Sequence, residues 1–459
     1  MKKTITLIFL ILFTMQSKAQ CYTTVSAGLR HVLAIKSNGT LWGWGDNGYG
    51  QLGDGTTISK SLPVQIGTAT NWAKLEAGDI NSFGIKTDGT LWAWGNNSFY
   101  QLGNNTTLSS TIPIQIGTAT NWDMVSAGGI HTLALQTDGT LWVWGDNGQG
   151  QLGDGTATEK KVPTKLGTDT DWLFVSAGYV HSMGLKLDGS LRTWGKNDQG
   201  QLGDGTLIIK YLPTLIPSAV PFQKIKASRV HSLAIKDDGT LWSWGNNDFG
   251  QLGDNTIIYK SNPTKIGTDT NWLSISGAGF HSVAQKTTGT IWTWGRNSSG
   301  QLGDNTLIDK KVPMQIGTAT NWSNLQAGIY YTLARSTIGF FTYLSTWGQN
   351  DHGQLGDGTL INKSVPTSVY SCNILGLGVE NTAENNFTVY PNPTKSILTI
   401  KNNSNIKIKK INIIDASGKI VMEEKEQYNS MNVQNLPAGV YHLQILSDGK
   451  TIQKKFIKN

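Results

Sequence analysis

The hexamer Gln51-Leu52-Gly53-Asp54-Gly55-Thr56 returns at residues 101, 151, 201, 251, 301 and 354, with Asn replacing Asp or Gly in some copies. Five intervals are 50 residues; the last is 53, through a three-residue insertion around Gly339 to Tyr343. Such a period limits the chain to architectures built from one stacked supersecondary unit. In the third copy the parts are Trp122–Gly128, His131–Gln136, Leu141–Gly145 and Val162–Gly167. Each part is short, β-prone and bounded by Gly, Asp, Asn or Thr. Asp138-Gly139 marks a hairpin between the second and third parts. No helix-length 3.6 periodicity occurs, so the unit reads as a four-stranded antiparallel sheet.

A sheet with two apolar faces must be covered on both, and repetition around an axis achieves this. Along the third part Trp142 and Trp144 share one face, while Leu141 and Val143 share the other. Trp occupies the Trp144 position in all seven copies: 44, 94, 144, 194, 244, 294 and 347. The Val143 position holds Gly43, Ala93, Val143, Thr193, Ser243, Thr293 and Thr346. Bulky indoles facing small residues interdigitate between neighbouring sheets. The Trp72 position is aromatic throughout, counting Tyr22 and Phe222, so most of the 17 Trp belong to the core. The expected fold class is all-β, a seven-bladed β-propeller followed by a small C-terminal β-sandwich. The ring starts in a first strand at Thr23 to Ala27 and leaves a fourth at Val365 to Tyr370. These ends are expected to meet in one blade or at one seam, which hides the edge strands.

The repeat A-G-x-x-H-x-L-A-[IL]-x-x-D-G-T-L-W-x-W-G-x-N-x-x-G-Q-L-G-D-G-T…P resembles the RCC1 repeat (regulator of chromosome condensation), over residues 21–371 in all seven copies. The resemblance implies a seven-bladed propeller. The founding member of that family is a guanine-nucleotide exchange factor for a small GTPase. This chain departs from it, because its one insertion is three residues and no copy carries a long inserted wedge.

Residues 1–19 read as a signal peptide, with Lys2 and Lys3, an apolar run from Ile5 to Met15, and a small-residue exit at Ser17-Lys18-Ala19. Cys21 raises lipidation as an alternative, although Lys18-Ala19-Gln20 is a poor lipobox. No other stretch approaches the roughly 18–20 apolar residues of a membrane span, so no membrane insertion is expected. The two cysteines, Cys21 and Cys372, flank the repeats. In an oxidising compartment they form a disulfide candidate that clips the ring; two unrelated thiols are the alternative.

From Phe387 to Asn459 the chain changes character: Trp vanishes and Gly falls to three. Alternation in Ile411–Ile414 and Val440–Ile445, with a turn at Asp415-Ala416-Ser417-Gly418, reads as a small β-sandwich. Val389-Tyr390-Pro391-Asn392-Pro393, Leu398-Thr399-Ile400, Leu436-Pro437-Ala438-Gly439-Val440-Tyr441 and Lys455-Phe456-Ile457 make 387–459 similar to the C-terminal sorting domain of the type IX secretion system of Bacteroidetes. Residues 372–386 are the linker. The resemblance implies export through the periplasm to the medium or outer cell surface, with the sorting domain removed.

Net charge is +7, which taken whole suggests nucleic acid or an anionic surface. The signal peptide carries three Lys and no acids, and residues 372–459 carry 11 Lys against 7 acids. Residues 20–371 are left with 24 basic and 24 acidic side chains. No nucleic-acid partner is therefore expected.

His31, His131, His181, His231 and His281 share one repeat position, with Asn81 and Tyr331 in the other copies. Lining a central channel, they would form an imidazole ring able to hold metal and support an enzyme. The structural reading has each bonding a neighbouring blade's backbone. The Asp46 position becomes Lys196 and Arg296, so the Asp-rich loops read as turns rather than Ca²⁺ sites. Lysine recurs at 60, 160, 210, 260, 310 and 363, with Ser110 breaking the set, and reads as a solvated rim. There is no phosphate loop and no serine nucleophile elbow, so no catalytic residue, cofactor or metal is assigned.

What varies is more telling. The turn after the first strand carries Leu29, Asp79, Gly129, Tyr179, Arg229, Gly279 and Ile329; the long loop after the third carries Tyr49, Phe99, Gln149, Gln199, Phe249, Ser299 and His352. Antiparallel strands put both at one end. A constant scaffold with changing tips is how loops carry recognition, and exposed aromatics with Arg are interface anchors. Tyr49, Phe99, Tyr179, Arg229, Phe249 and His352 are the candidate binding face of a monomer for a protein or glycan; unconstrained surface is the alternative.

Overall fold

A computed structural model describes residues 20–373, 387–402, 408–415, 419–425, 429–447 and 450–459. The expected signal peptide, most of the expected linker and Ala416 to Gly418 of the expected turn lie outside the described residues. The described residues form strands and turns and no helix.

Blade 1 comprises β1 (Tyr22–Ala27), β2 (His31–Lys36), β3 (Leu41–Gly45) and β4 (Lys60–Ile66), hydrogen-bonded in that order. Blades 2 to 7 repeat the order from Trp72, Trp122, Trp172, Phe222, Trp272 and Trp322, giving seven four-stranded sheets. Each blade uses four consecutive strands, so the chain ends meet at a seam between blades 7 and 1 rather than within a shared blade. The insertion lengthens the central hairpin of blade 7, Tyr331–Ile338 and Phe341–Gly348.

The fourth strand of blade 3 is Lys160–Lys165, two residues earlier than expected. Gly145 pairs with Lys160 across a register shift, so pairing begins on the far side of a bulge that composition does not mark.

The hexamer holds neighbouring blades together. The Gln51 carbonyl accepts from Trp94 Nε1 at 2.9 Å and Ser82 Oγ at 2.7 Å, both in blade 2. Leu52 is fully buried. Gly53, at φ +83°, lies flat on the Trp94 indole, where a Cβ would stand 2.8 Å from Nε1. The Gly55 amide bonds the Thr111 carbonyl of blade 2 at 2.9 Å. Trp44 donates to Gln354 O at 3.1 Å, so the blade 7–blade 1 seam is closed by the bond used elsewhere.

Cys21, directly ahead of β1, is bonded to Cys372 in the last strand of blade 7, Lys363–Asn373, with Cα atoms 5.4 Å apart. The tail carries a three-stranded and a four-stranded sheet. Leu398, Ile400, Ile411, Ile413, Leu443 and Ile445 are among its buried core. Ile411–Ile414 and Val440–Ile445 fall within the strands Ile408–Ile414 and Gly439–Ser447.

Candidate recognition face

In every blade the amide opening the long loop bonds the carbonyl of the residue before the second strand. Examples are Asp46 N to Arg30 O and Arg296 N to Phe280 O, both 2.9 Å. Turn and loop therefore open together at one end. The loop itself is held by an asparagine hub. Asn47 Nδ2 reaches Asp54 Oδ1 at 3.0 Å and Thr56 O at 3.0 Å, and Asn47 Oδ1 accepts from Leu52 N at 2.9 Å. Asp54 also accepts from Thr56 N at 2.9 Å and Thr56 Oγ1 at 2.7 Å. Burial alone would raise its carboxyl, but the bonds from Thr56, Asn47 and Lys60 outweigh it and hold it low.

The lysine ring is not a free rim. Lys60, Lys160, Lys210, Lys260, Lys310 and Lys363 pair at 2.8–3.6 Å with Asp54, Asp154, Asp204, Asp254, Asp304 and Asp357. At the break in the set both positions are uncharged, Ser110 and Asn104, and Ser110 Oγ donates to Ile112 O at 2.6 Å.

The five histidines do not line the axis. All are fully buried between blades. The axial pocket is walled by Ala27, Ala77, Ala127, Ala177, Ala227, Gly277 and Ala327, with Glu76, Asp79, Tyr179, Lys226 and Arg229 also lining it. Each imidazole Nε2 meets a hydroxyl of the next blade: His31 with Ser82, His131 with Ser182, His181 with Ser232, His231 with Ser282 and His281 with Thr332, at 2.8–3.1 Å. A side-chain hydroxyl is thus a partner in all five, and His281 also meets the Ile329 backbone of the next blade, the kind of bond expected. Each hydroxyl donates onward to a loop carbonyl, as Ser82 does to Gln51 O, so Nε2 is the donor. Burial lowers the imidazoles to about 4 in His31 and His181 and about 3 in His131, His231 and His281. Among the described residues no group of three or more His, Cys, Asp or Glu is placed to hold a metal ion.

The exceptional copy is coherent. Blade 1 has Val32 where other blades carry Ser or Thr, and blade 7 has Tyr331 where they carry His or Asn. Tyr331 Oη crosses the seam to the carbonyls of His31 at 2.7 Å and Gly28 at 3.1 Å.

The six candidate face residues fall into separate groups. Tyr49 and Phe99 stand out from the surface, 48% and 47% exposed. Arg229 lies over the Tyr179 ring at 4.1 Å and pairs with Asp79 at 3.3 Å, linking blades 5 and 2 at the axis. Burial raises the Asp79 carboxyl against the opposing pull of Arg229, and raises Glu76 against Lys226. His352 meets Arg30 at 3.0 Å and Asp46 at 3.8 Å. Phe249 packs edge-on against Phe280 at 5.4 Å, with the Arg296 guanidinium 4.6 Å from its ring centre. Arg30, Phe280, Arg296 and Tyr330 were not among the expected residues. The position before the second strand reads Arg30, Ile80, Ile130, Val180, Val230, Phe280 and Tyr330, so column variation there carried the signal.

Comparison with known proteins places these features. The model of the RCC1-like domain matches residues 124–388, and models of the regulator of chromosome condensation (RCC1) repeat match 22–51, 38–85, 72–101 and 88–135. The secretion system C-terminal sorting domain matches 388–459, which implies an exported protein, secreted or on the cell surface. The ultraviolet-B receptor UVR8 of Arabidopsis thaliana is 45% identical over 42 residues, 9% of this chain and 10% of that receptor. Among solved structures, human WBSCR16 has a TM-score of 0.65 at 22% identity, covering 72% of this chain and 94% of that one. Prp20p of Saccharomyces cerevisiae has a TM-score of 0.64 at 19% identity, covering 82% and 90%. Such identities show the fold alone. With its repeats, its blade-to-blade bonds and a family match over more than half its length, the chain belongs to the RCC1-like propeller family and ends in a secretion-system sorting domain.

Proposed function

We propose that the propeller is an exported binding module that presents its turn-and-loop face to a protein or glycan. On this reading the chain crosses the periplasm, and the type IX machinery recognises 387–459. One observation carries the reading. The bonds that build each loop repeat from blade to blade, while the tips they carry differ in size, charge and aromaticity. A scaffold that spends its constancy on placing unlike side chains suits recognition.

Crosslinking wild-type protein in its native surroundings and identifying what is captured tests this. Replacing Tyr49, Phe99, Tyr179 and Phe249 together by Ala is expected to abolish capture and leave the fold cooperative. Unchanged capture of a verified partner by that variant removes this face from consideration. Deleting 387–459 is expected to block export; normal export of the truncated chain overturns the sorting role.

A further inference from the structure

The geometry points to Arg296 as the receptor for one carboxylate, an Asp or Glu side chain of a protein partner. This rests on the loop face being the binding face.

The first observation is a broken local rule. In blades 1, 2, 3 and 5 the residue opening the long loop is Asp46, Asn96, Asp146 or Asn246, and its side chain accepts from the amide two residues on, at 3.1–3.3 Å. Asn96, Asp146 and Asn246, though not Asp46 of blade 1, also accept from the loop glutamines Gln101, Gln151 and Gln251. Blades 4 and 7 open with Lys196 and Gln349, and an aspartate two residues on takes over. Gln201 Nε2 reaches Asp198 at 3.4 Å, and Gln354 Nε2 reaches Asp351 at 3.2 Å. Blade 6 has Arg296 followed by Ser298, and Gln301 Nε2 is left buried with no hydrogen-bond partner. An orphaned buried donor is destabilising. Local rules that are broken without structural compensation concentrate at functional positions.

The second observation is the cage. The guanidinium lies 4.6 Å from the Phe249 ring centre, 5.1 Å from Tyr330 and 5.9 Å from Phe280, drawn from three successive blades. Its Nε donates to Ser298 Oγ at 3.1 Å. Among the described residues it forms no ion pair, and the neighbouring Asp309 carboxylate accepts instead from Asn297 N at 2.7 Å. Arg229, also stacked on an aromatic ring, is by contrast neutralised by Asp79.

The stacked guanidinium is held flat, with Nε on Ser298 Oγ and Nη1 3.5 Å from Tyr330 Oη, which leaves Nη2 to meet a carboxylate oxygen. One such cation balances one carboxylate. A sugar ring would need an open aromatic face, whereas the Phe249 face is covered by Arg296 and its edge meets Phe280. A protein carboxylate is the occupant that fits.

The test pans a displayed random-peptide library on the purified protein and on Arg296→Gln. Wild type is expected to enrich peptides carrying Asp or Glu. Changing that acid to its amide is expected to weaken binding roughly tenfold or more. Arg296→Gln is expected to cost as much, and the two losses should not add. Selected peptides without an acid, or losses that add, overturn the inference. Peptides lost on Tyr49→Ala with Phe99→Ala but indifferent to Arg296→Gln overturn it while sparing the loop face. Binders indifferent to both, or no binders, overturn both. Arg296→Asn supplies a fold-based readout: it restores the acceptor for Gln301, so its melting temperature should rise while acidic peptides are lost. A fall in melting temperature removes the first observation.

Discussion

A histidine buried without charge makes the fold sensitive to acid. Unfolded imidazoles take up a proton near pH 6.5, whereas the five ring histidines resist until about pH 3 to 4. Between these values the unfolded chain binds more protons, so stability rises with pH. The contribution is fully present above about pH 6.5 and is lost as pH falls toward 4. With five such groups the slope reaches at most about 7 kcal/mol per pH unit. Melting temperature followed from pH 8 to pH 4 should drop steeply below 6.5. The loop aspartates, held low, add their loss only at still lower pH. A flat profile between 6.5 and 5 contradicts the buried, neutral state. The histidine position was legible in the sequence as a repeated column, and its structural reading was available there. Its partner was not, because the bonded hydroxyl stands 51 residues on, in a different column of the next copy.

At the scale of the element, pairs of columns exchange together. Tyr331→His should destabilise the seam, since the imidazole would face Val32 and find no hydroxyl. Val32→Ser alone should also cost stability, by burying a hydroxyl in place of a packed methyl. The double variant recreates the junction used by five other blade pairs and should recover about 1–2 kcal/mol relative to the sum of the singles. Denaturant unfolding of the four proteins measures the coupling; simple additivity would reject it. At the rim the sequence reading noted that Ser110 breaks the lysine set, but not that Asn104 stands in the same copy where the other paired copies carry Asp. Strands one to three of each blade were legible because alternation marks them. The start of the fourth was misplaced by a bulge, which leaves no compositional trace.

For the whole molecule, the bond between Cys21 and Cys372 closes a loop of 351 residues. A loop of this length is worth about 6 kcal/mol in the chain-entropy model, less any cost in the folded state. Cys372→Ser should lower the melting temperature, and reductant should lower that of wild type while leaving the variant unmoved. Equal melting temperatures with and without reductant would show that the seam holds unaided.

Because every blade is woven from consecutive strands, no sheet depends on where the chain happens to begin. Seven similar junctions circle the axis, and the one holding the termini differs chiefly in its covalent clip and its tyrosine. The backbone could be reopened at the surface between Ile116 and Asn121, with the old ends spliced, and each sheet would keep its own four strands. A circular permutant of this kind would carry the same face on a relocated break.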